Sequence, residues 1–159
     1  MRIKFWMLGG CFALLLGSAQ ASENYPVELR GEWLAAAEQG DAEAQFKLGK
    51  SYCCGYAAGY DTSKALYWMC KAGKQGHIDA IYEMGRQLEA VTVDYLPFTE
   101  QHFILEAYVW YRQAVDLGGH PLAQLYSRKL ENSFSAAQMK IIEARQSAWS
   151  ESGCDEYTD

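Results

Sequence analysis

Apolar residues in this chain recur at spacings of three and four, and no run of strict alternation competes with them, which is the signature of amphipathic helix. Leu29, Trp33, Ala36 and Ala37 predict a helix over 26–39, with Pro26 suited to its first turn. Ala44, Leu48, Gly49 and Tyr52 predict a second, ending near Cys54, and Ala65, Leu66, Trp68, Met69 and Ala72 a third over 62–75. Ile78, Ile81, Met84 and Leu88 carry a fourth to about Ala90. A fifth, starting at Thr99 or Glu100 and reaching Leu117, carries Phe103, Ala107, Trp110, Tyr111 and Ala114. Leu122, Ala123, Leu125, Tyr126 and Leu130 mark a sixth. The seventh opens on a capping box, Ser135 with Gln138, flanked by Phe134 and Met139 as a hydrophobic staple, and runs to about Trp149. Gly40-Asp41, Gly59-Tyr60-Asp61 and Gly119-His120-Pro121 supply stops and caps between them. The expected fold class is all-α.

The pattern also repeats. Ala36, Gly40, Ala44, Leu48 and Gly49 stand 36 positions before Ala72, Gly76, Ala80, Met84 and Gly85, and Ala65, Trp68, Ala72 and Gly76 stand 42 before Ala107, Trp110, Ala114 and Gly118. A fixed period in this range predicts stacked helical units, here antiparallel pairs in which each helix touches mainly its sequence neighbours. Within a domain of residues 22–150 the expected parts are a capping helix 26–39, repeats 41–76 and 77–118, and a degenerate repeat with C-terminal cap at 119–150. Trp68 and Trp110 fall at one repeat position and are expected in the core. The second repeat carries six extra residues between its helices, placed in a Val91 to Gln101 connection. Residues 151–159 are acidic, contain Gly153, and are expected to form a flexible tail.

The first residues change the picture of where the chain works. Arg2 and Lys4 precede an apolar run to Leu16, and Ala19 and Ala21 have the spacing that a signal peptidase reads, so residues 1–21 are expected to be a cleaved secretory leader. The run from Phe5 to Leu16 is too short to span a bilayer, and Cys11 lies inside it rather than after it, unlike a lipoprotein box. Export is expected, to the periplasm or beyond the cell, with no membrane insertion after cleavage. The leader takes 2 of the 14 basic residues against 20 acidic ones, so the remaining formal charge is about −8. Such a chain has no basic face for phosphates, and nucleic acid is not an expected partner. Cys53, Cys54, Cys70 and Cys154 remain, and an oxidising compartment permits three full pairings as well as free thiols. Cys54 to Cys70 is disfavoured because the two lie about 12 Å apart along antiparallel helices.

Little in the sequence points to catalysis. His77 and His120 open helices at equivalent positions, where capping explains them, and His102 lies elsewhere. No paired Cys or His has metal-ligand spacing, and neither Ser-x-x-Lys nor Gly-x-Ser-x-Gly occurs. No catalytic residue, metal or cofactor is expected. The first helices of successive repeats should instead line one face, where Phe46 corresponds to Tyr82, Lys47 to Glu83 and Lys50 to Arg86. These six, with Tyr95 and Phe98 from the extended connection, are the candidate contacts for a partner protein or peptide, although Phe46 and Tyr82 have packing between helices as an equal alternative.

Ala-Leu-Tyr-Trp-Met-Cys-Lys-Ala followed by Gln-Gly-His-Ile-Asp-Ala-Ile-Tyr-Glu-Met-Gly, and Ala-Tyr-Val-Trp-Tyr-Arg-Gln-Ala followed by Gly-His-Pro-Leu-Ala-Gln, resemble the Sel-one-like repeat family over about Glu32 to Ser127. The resemblance implies a tetratricopeptide-like α-solenoid with a right-handed superhelix, serving as a non-catalytic adaptor in protein complexes. Ser127-Arg128, where a Leu-Gly pair belongs, and the long Val91 to Gln101 connection depart from it. A cysteine-rich branch of that family has been linked to β-lactam binding, but its cysteine spacing differs from this one. A cell-wall or β-lactam-related enzyme or inhibitor is therefore the alternative function, beside a secreted host-interaction factor.

Overall fold

The computed structural model describes residues 25–54, 60–94 and 100–158, with the side chains of 91–94 and 100–101 also left out. The leader and the candidate contacts Tyr95 and Phe98 lie outside the described residues. Within them the chain is all-helical, without a strand. The helices are α1 (Arg30–Glu38), α2 (Ala42–Cys53), α3 (Thr62–Lys74), α4 (Ile78–Asp94), α5 (Glu100–Gly118), α6 (Pro121–Glu131) and α7 (Ala136–Ser147), with 3₁₀ turns at Val27–Leu29 and Asp155–Tyr157. Among the described residues no helix is long and apolar enough to cross a membrane.

The punctuation works as its chemistry dictates. Gly40, Gly76 and Gly119 take positive φ, where a side chain would be strained. The chain then reverses with Asp41 N–H donating to Ala36 O at 3.1 Å and His77 N–H to Ala72 O at 3.2 Å, the long bond of a Schellman stop. At the third stop His120 N–H reaches Ala114 O at 3.3 Å, one residue further back, because two glycines stand there instead of one. Asp41 and Asp61 cap α2 and α3 through the Ala44 and Lys64 amides, and the Ser135–Gln138 capping box forms as expected. The fourth helix runs to Asp94, past its expected end, so part of the extended connection is helical. The connection offers no glycine or proline before Pro97, and the restriction a proline places on its preceding residue falls on Leu96.

Successive helices pack on one another from α1 through α6, and α7 returns to α5. Glycines set the approach. A Cβ on Gly49 would sit 2.7 Å from Met69 Cγ and 3.1 Å from Ala65 O, and one on Gly85 would sit 2.6 Å from the Tyr111 ring and 3.1 Å from Ala107 O. The two contacts are the same contact, since Ala65 and Met69 stand 42 positions before Ala107 and Tyr111. Around the second lies the main core of Met69, Ile81, Met84, Leu88, Trp110, Tyr111 and Ile142. A smaller one joins Ala37, Ala44 and Leu48 to Trp33 and Trp68. Gln45, buried between α1 and α3, donates to Ala37 O at 2.9 Å and accepts from Gln75 at 2.7 Å, so its amide costs little to bury.

The two repeat tryptophans differ in cover. Trp110 is 1% exposed, with Trp149 edge-on at 4.4 Å, whereas Trp68 is only half-buried. Cover for Trp110 comes from the end of the chain, and that end is not loose as its composition suggests. Cys154 is bonded to Cys70 on α3, and the turn Asp155–Tyr157 packs on the same helix. Lys74 lies 3.7 Å over the Trp149 ring and donates to Trp149 O and Ser152 Oγ, each at 2.6 Å. Burial pushes its ammonium down to about 8.

Two stability measurements follow from this packing. Gly85→Ala should cost about 1–3 kcal/mol in urea unfolding and more than Gly49→Ala, because Met69 flexes whereas Tyr111 is fully buried beside Tyr82 and Tyr126. Cys154→Ser should cost about 2–5 kcal/mol and expose Trp149 and Trp110 to quenching by iodide, while the far-ultraviolet circular dichroism stays helical.

Candidate functional site

The first turns of α2 and α4 build the same small assembly twice. His77 caps α4 by accepting the Ala80 amide on Nδ1 at 3.2 Å. That acceptance requires a bare Nδ1, which leaves the proton on Nε2, and Nε2 donates to Glu43 at the start of α2 at 2.9 Å. The ring also lies against Phe46, with centroids 4.6 Å apart. His120 does the same one unit later: Nδ1 accepts the Ala123 amide at 3.2 Å, Nε2 stands 3.5 Å from Asp79, and the ring stacks on Tyr82 at 4.3 Å. Hydrogen bonding from His77 is the largest influence on the Glu43 carboxyl, holding it below its ordinary value. Burial raises the Tyr82 phenol.

Between these assemblies lies a cleft of about 380 Å³, walled by Phe46 and Lys50 from α2, by Asp79, Tyr82 and Glu83 from α4, and by Tyr25, Cys54 and His120. Glu83 is its electrostatic centre, 3.2 Å from Lys50 on one side and 3.2 Å from Arg86 on the other. Tyr25 closes the end, its ring 6.2 Å from Phe46 with Lys50 Nζ 5.7 Å above it. Asp79 projects from the rim with its side chain 64% exposed.

Of the candidate contacts, Phe46, Lys50, Tyr82 and Glu83 therefore meet in one cleft. Phe46 and Tyr82 are each 7% exposed, so both packing and lining describe them: Phe46 lies tilted against His77 and Tyr82 is stacked on His120. Lys47 turns outward and pairs with Glu43 at 3.1 Å, and Arg86 contributes through Glu83. Asp79 and His120 are not among the contacts expected from the sequence, yet the period marks them, since Glu43 stands 36 positions before Asp79 and His77 stands 43 before His120. Tyr25 precedes the first repeat, and no spacing marks it.

The arrangement offers a carboxylate, an ammonium paired to a second carboxylate, and aromatic edges in one shallow wall. Chemically, such a wall can pair polar groups with Asp79 and Lys50 while its aromatic rings meet apolar ones. Two other clefts, of about 570 Å³ beside Trp68 and Tyr157 and about 480 Å³ beside Lys71 and Ser152, lie away from the repeated assembly. Among the described residues no group of three His, Cys, Asp or Glu is placed to hold a metal ion. No family model, curated protein or solved structure matches the chain, so its function must be read from its own geometry.

The capping role of the histidines is separable from their ring contacts. His77→Ala should cost about 0.5–2 kcal/mol, and His77→Asn should recover part of that in urea unfolding, because an asparagine oxygen can accept the Ala80 amide although it cannot reach Glu43. His120→Ala and His120→Asn should behave in parallel.

Proposed function

We propose that the chain is an exported, non-catalytic scaffold of the Sel-one-like repeat type, an α-solenoid of antiparallel helix pairs that works as a periplasmic adaptor and binds another protein or peptide in the α2/α4 cleft. The observation that carries this reading is the recurrence of one unit, Glu43 with Phe46 and His77, then Asp79 with Tyr82 and His120. A stack whose units keep the same side-chain contacts as well as the same backbone approach presents evenly spaced positions along one wall, which is how repeat scaffolds engage extended partners. Lys50 and Asp79 are its polar anchors; Lys50 and Glu83 are largely shielded from water, where a charge pair discriminates between partners more than at an open surface.

The test uses full-length protein in intact cells, with a photo-crosslinking residue at position 47, next to Phe46 and outward-facing, and a control at position 125, an exposed position on α6. Crosslinked partners are expected at 47 and not at 125, and Lys50→Ala combined with a crosslinker at 47 should reduce their yield by about tenfold, the loss of one anchor. Equal yields from the two positions, or an unchanged yield from a folded Lys50→Ala chain, would remove the cleft from the function.

A further inference from the structure

The two disulfides of this chain do different things. Cys70–Cys154 joins positions 84 apart and ties the chain end to α3. Cys53–Cys54 joins sequence neighbours at the end of α2. A crosslink between neighbours excludes almost no conformations of the unfolded chain, because the stabilisation by chain entropy grows with the loop enclosed. Its placement is more informative than its effect on stability. Cys54 lines the cleft beside Lys50 and Glu83, and Gln87 Nε2 donates to its sulfur at 3.5 Å. Cys53 packs against the main core, and its sulfur stands 3.6 Å from Lys50 O, an acceptor for a thiol at that position.

We infer that Cys53–Cys54 is a thiol–disulfide exchange site, reduced by a dithiol substrate that approaches through the cleft, with Cys54 as the sulfur attacked. One substrate thiolate attacks Cys54 Sγ; a mixed disulfide forms, the Cys53–Cys54 bond breaks, and the electron pair leaves on Cys53 Sγ, which takes a proton from water and donates to Lys50 O. The second substrate thiolate then attacks the substrate sulfur of the mixed disulfide. Cys54 leaves as a thiolate, steadied by the Gln87 amide, and is protonated by water. The dithiol is oxidised to a disulfide and the pair is reduced to two thiols, two electrons having passed. Attack follows access, and access favours this direction: Cys54 lines the cleft while Cys53 packs against the core.

This inference requires no partner protein, so it and the adaptor reading fail separately. Purified full-length protein, oxidised in air, would be equilibrated with graded ratios of reduced to oxidised dithiothreitol, quenched by alkylation and mapped by peptide mass spectrometry. Cys53 and Cys54 should be alkylated at ratios at least about tenfold less reducing than those that open Cys70–Cys154. A Cys53→Ser chain treated with glutathione disulfide, which lacks the neighbouring thiol that would expel the adduct, should retain one glutathione on Cys54; a Cys54→Ser chain should be modified at Cys53 several-fold more slowly. Opening of both pairs together, alkylation of Cys53 and Cys54 in the air-oxidised protein, or equal modification of the two single variants would each overturn it.

Discussion

The structure depends on how closely two backbones are allowed to approach. At Gly49 the α2 backbone meets Ala65 O and Met69 of α3, and at Gly85 the α4 backbone meets Ala107 O and Tyr111 of α5. Removing a side chain from one helix lets the next sit nearer than ordinary side-chain packing permits, and the dense core around Met84, Trp110 and Tyr111 forms at that separation. The cleft inherits its shape from the same contacts. α2 and α4 each rest on their following helix in an equivalent way, so Phe46 and Tyr82, one turn from these glycines, face equivalent histidines.

Polar residues then fix what the close approach leaves free. Imidazole at the start of α4 and α6 satisfies an otherwise unpartnered helical amide with one nitrogen, and with the other it reaches back to a carboxylate on the helix two elements earlier. Each histidine thereby registers one unit against the next while its ring covers an aromatic face. Glu83 does similar work within the cleft, bridging Lys50 and Arg86. The cleft and the fold use the same groups here, which is why the wall is ordered without being sealed.

Much of this was legible in the residues themselves. The helices, their glycine stops and their caps follow from local chemistry, and the 36 and 42 offsets already pair Gly49 with Gly85 and Ala65 with Ala107, members of the two close contacts. The remainder depends on distance in space. Spacing along the chain gave three possible cysteine pairings and disfavoured the one with Cys54–Cys70 without choosing between the other two, and the acidic composition of residues 151–159 described solvation while Cys154, Tyr157 and Lys74 determined docking. Trp68 and Trp110 carry the same pattern and differ in cover, because only one of them lies beneath the returning chain end. Tyr25 enters the cleft from outside the period, where a repeat has no predictive hold.

The tie between Cys70 and Cys154 sets an order of events for a chain made from its first residue onward. Cys53, Cys54 and Cys70 emerge long before Cys154, which follows Cys70 by 84 positions. During that interval Cys70 has no correct mate, and a bond between Cys53 and Cys54 keeps both of those sulfurs from capturing it. Trp110 and Lys74 likewise wait uncovered until Trp149 and Ser152 have emerged. Docking of the segment around Cys154 thus follows the packing of the helices it covers, and a chain lacking that segment would leave those helices with one open seam.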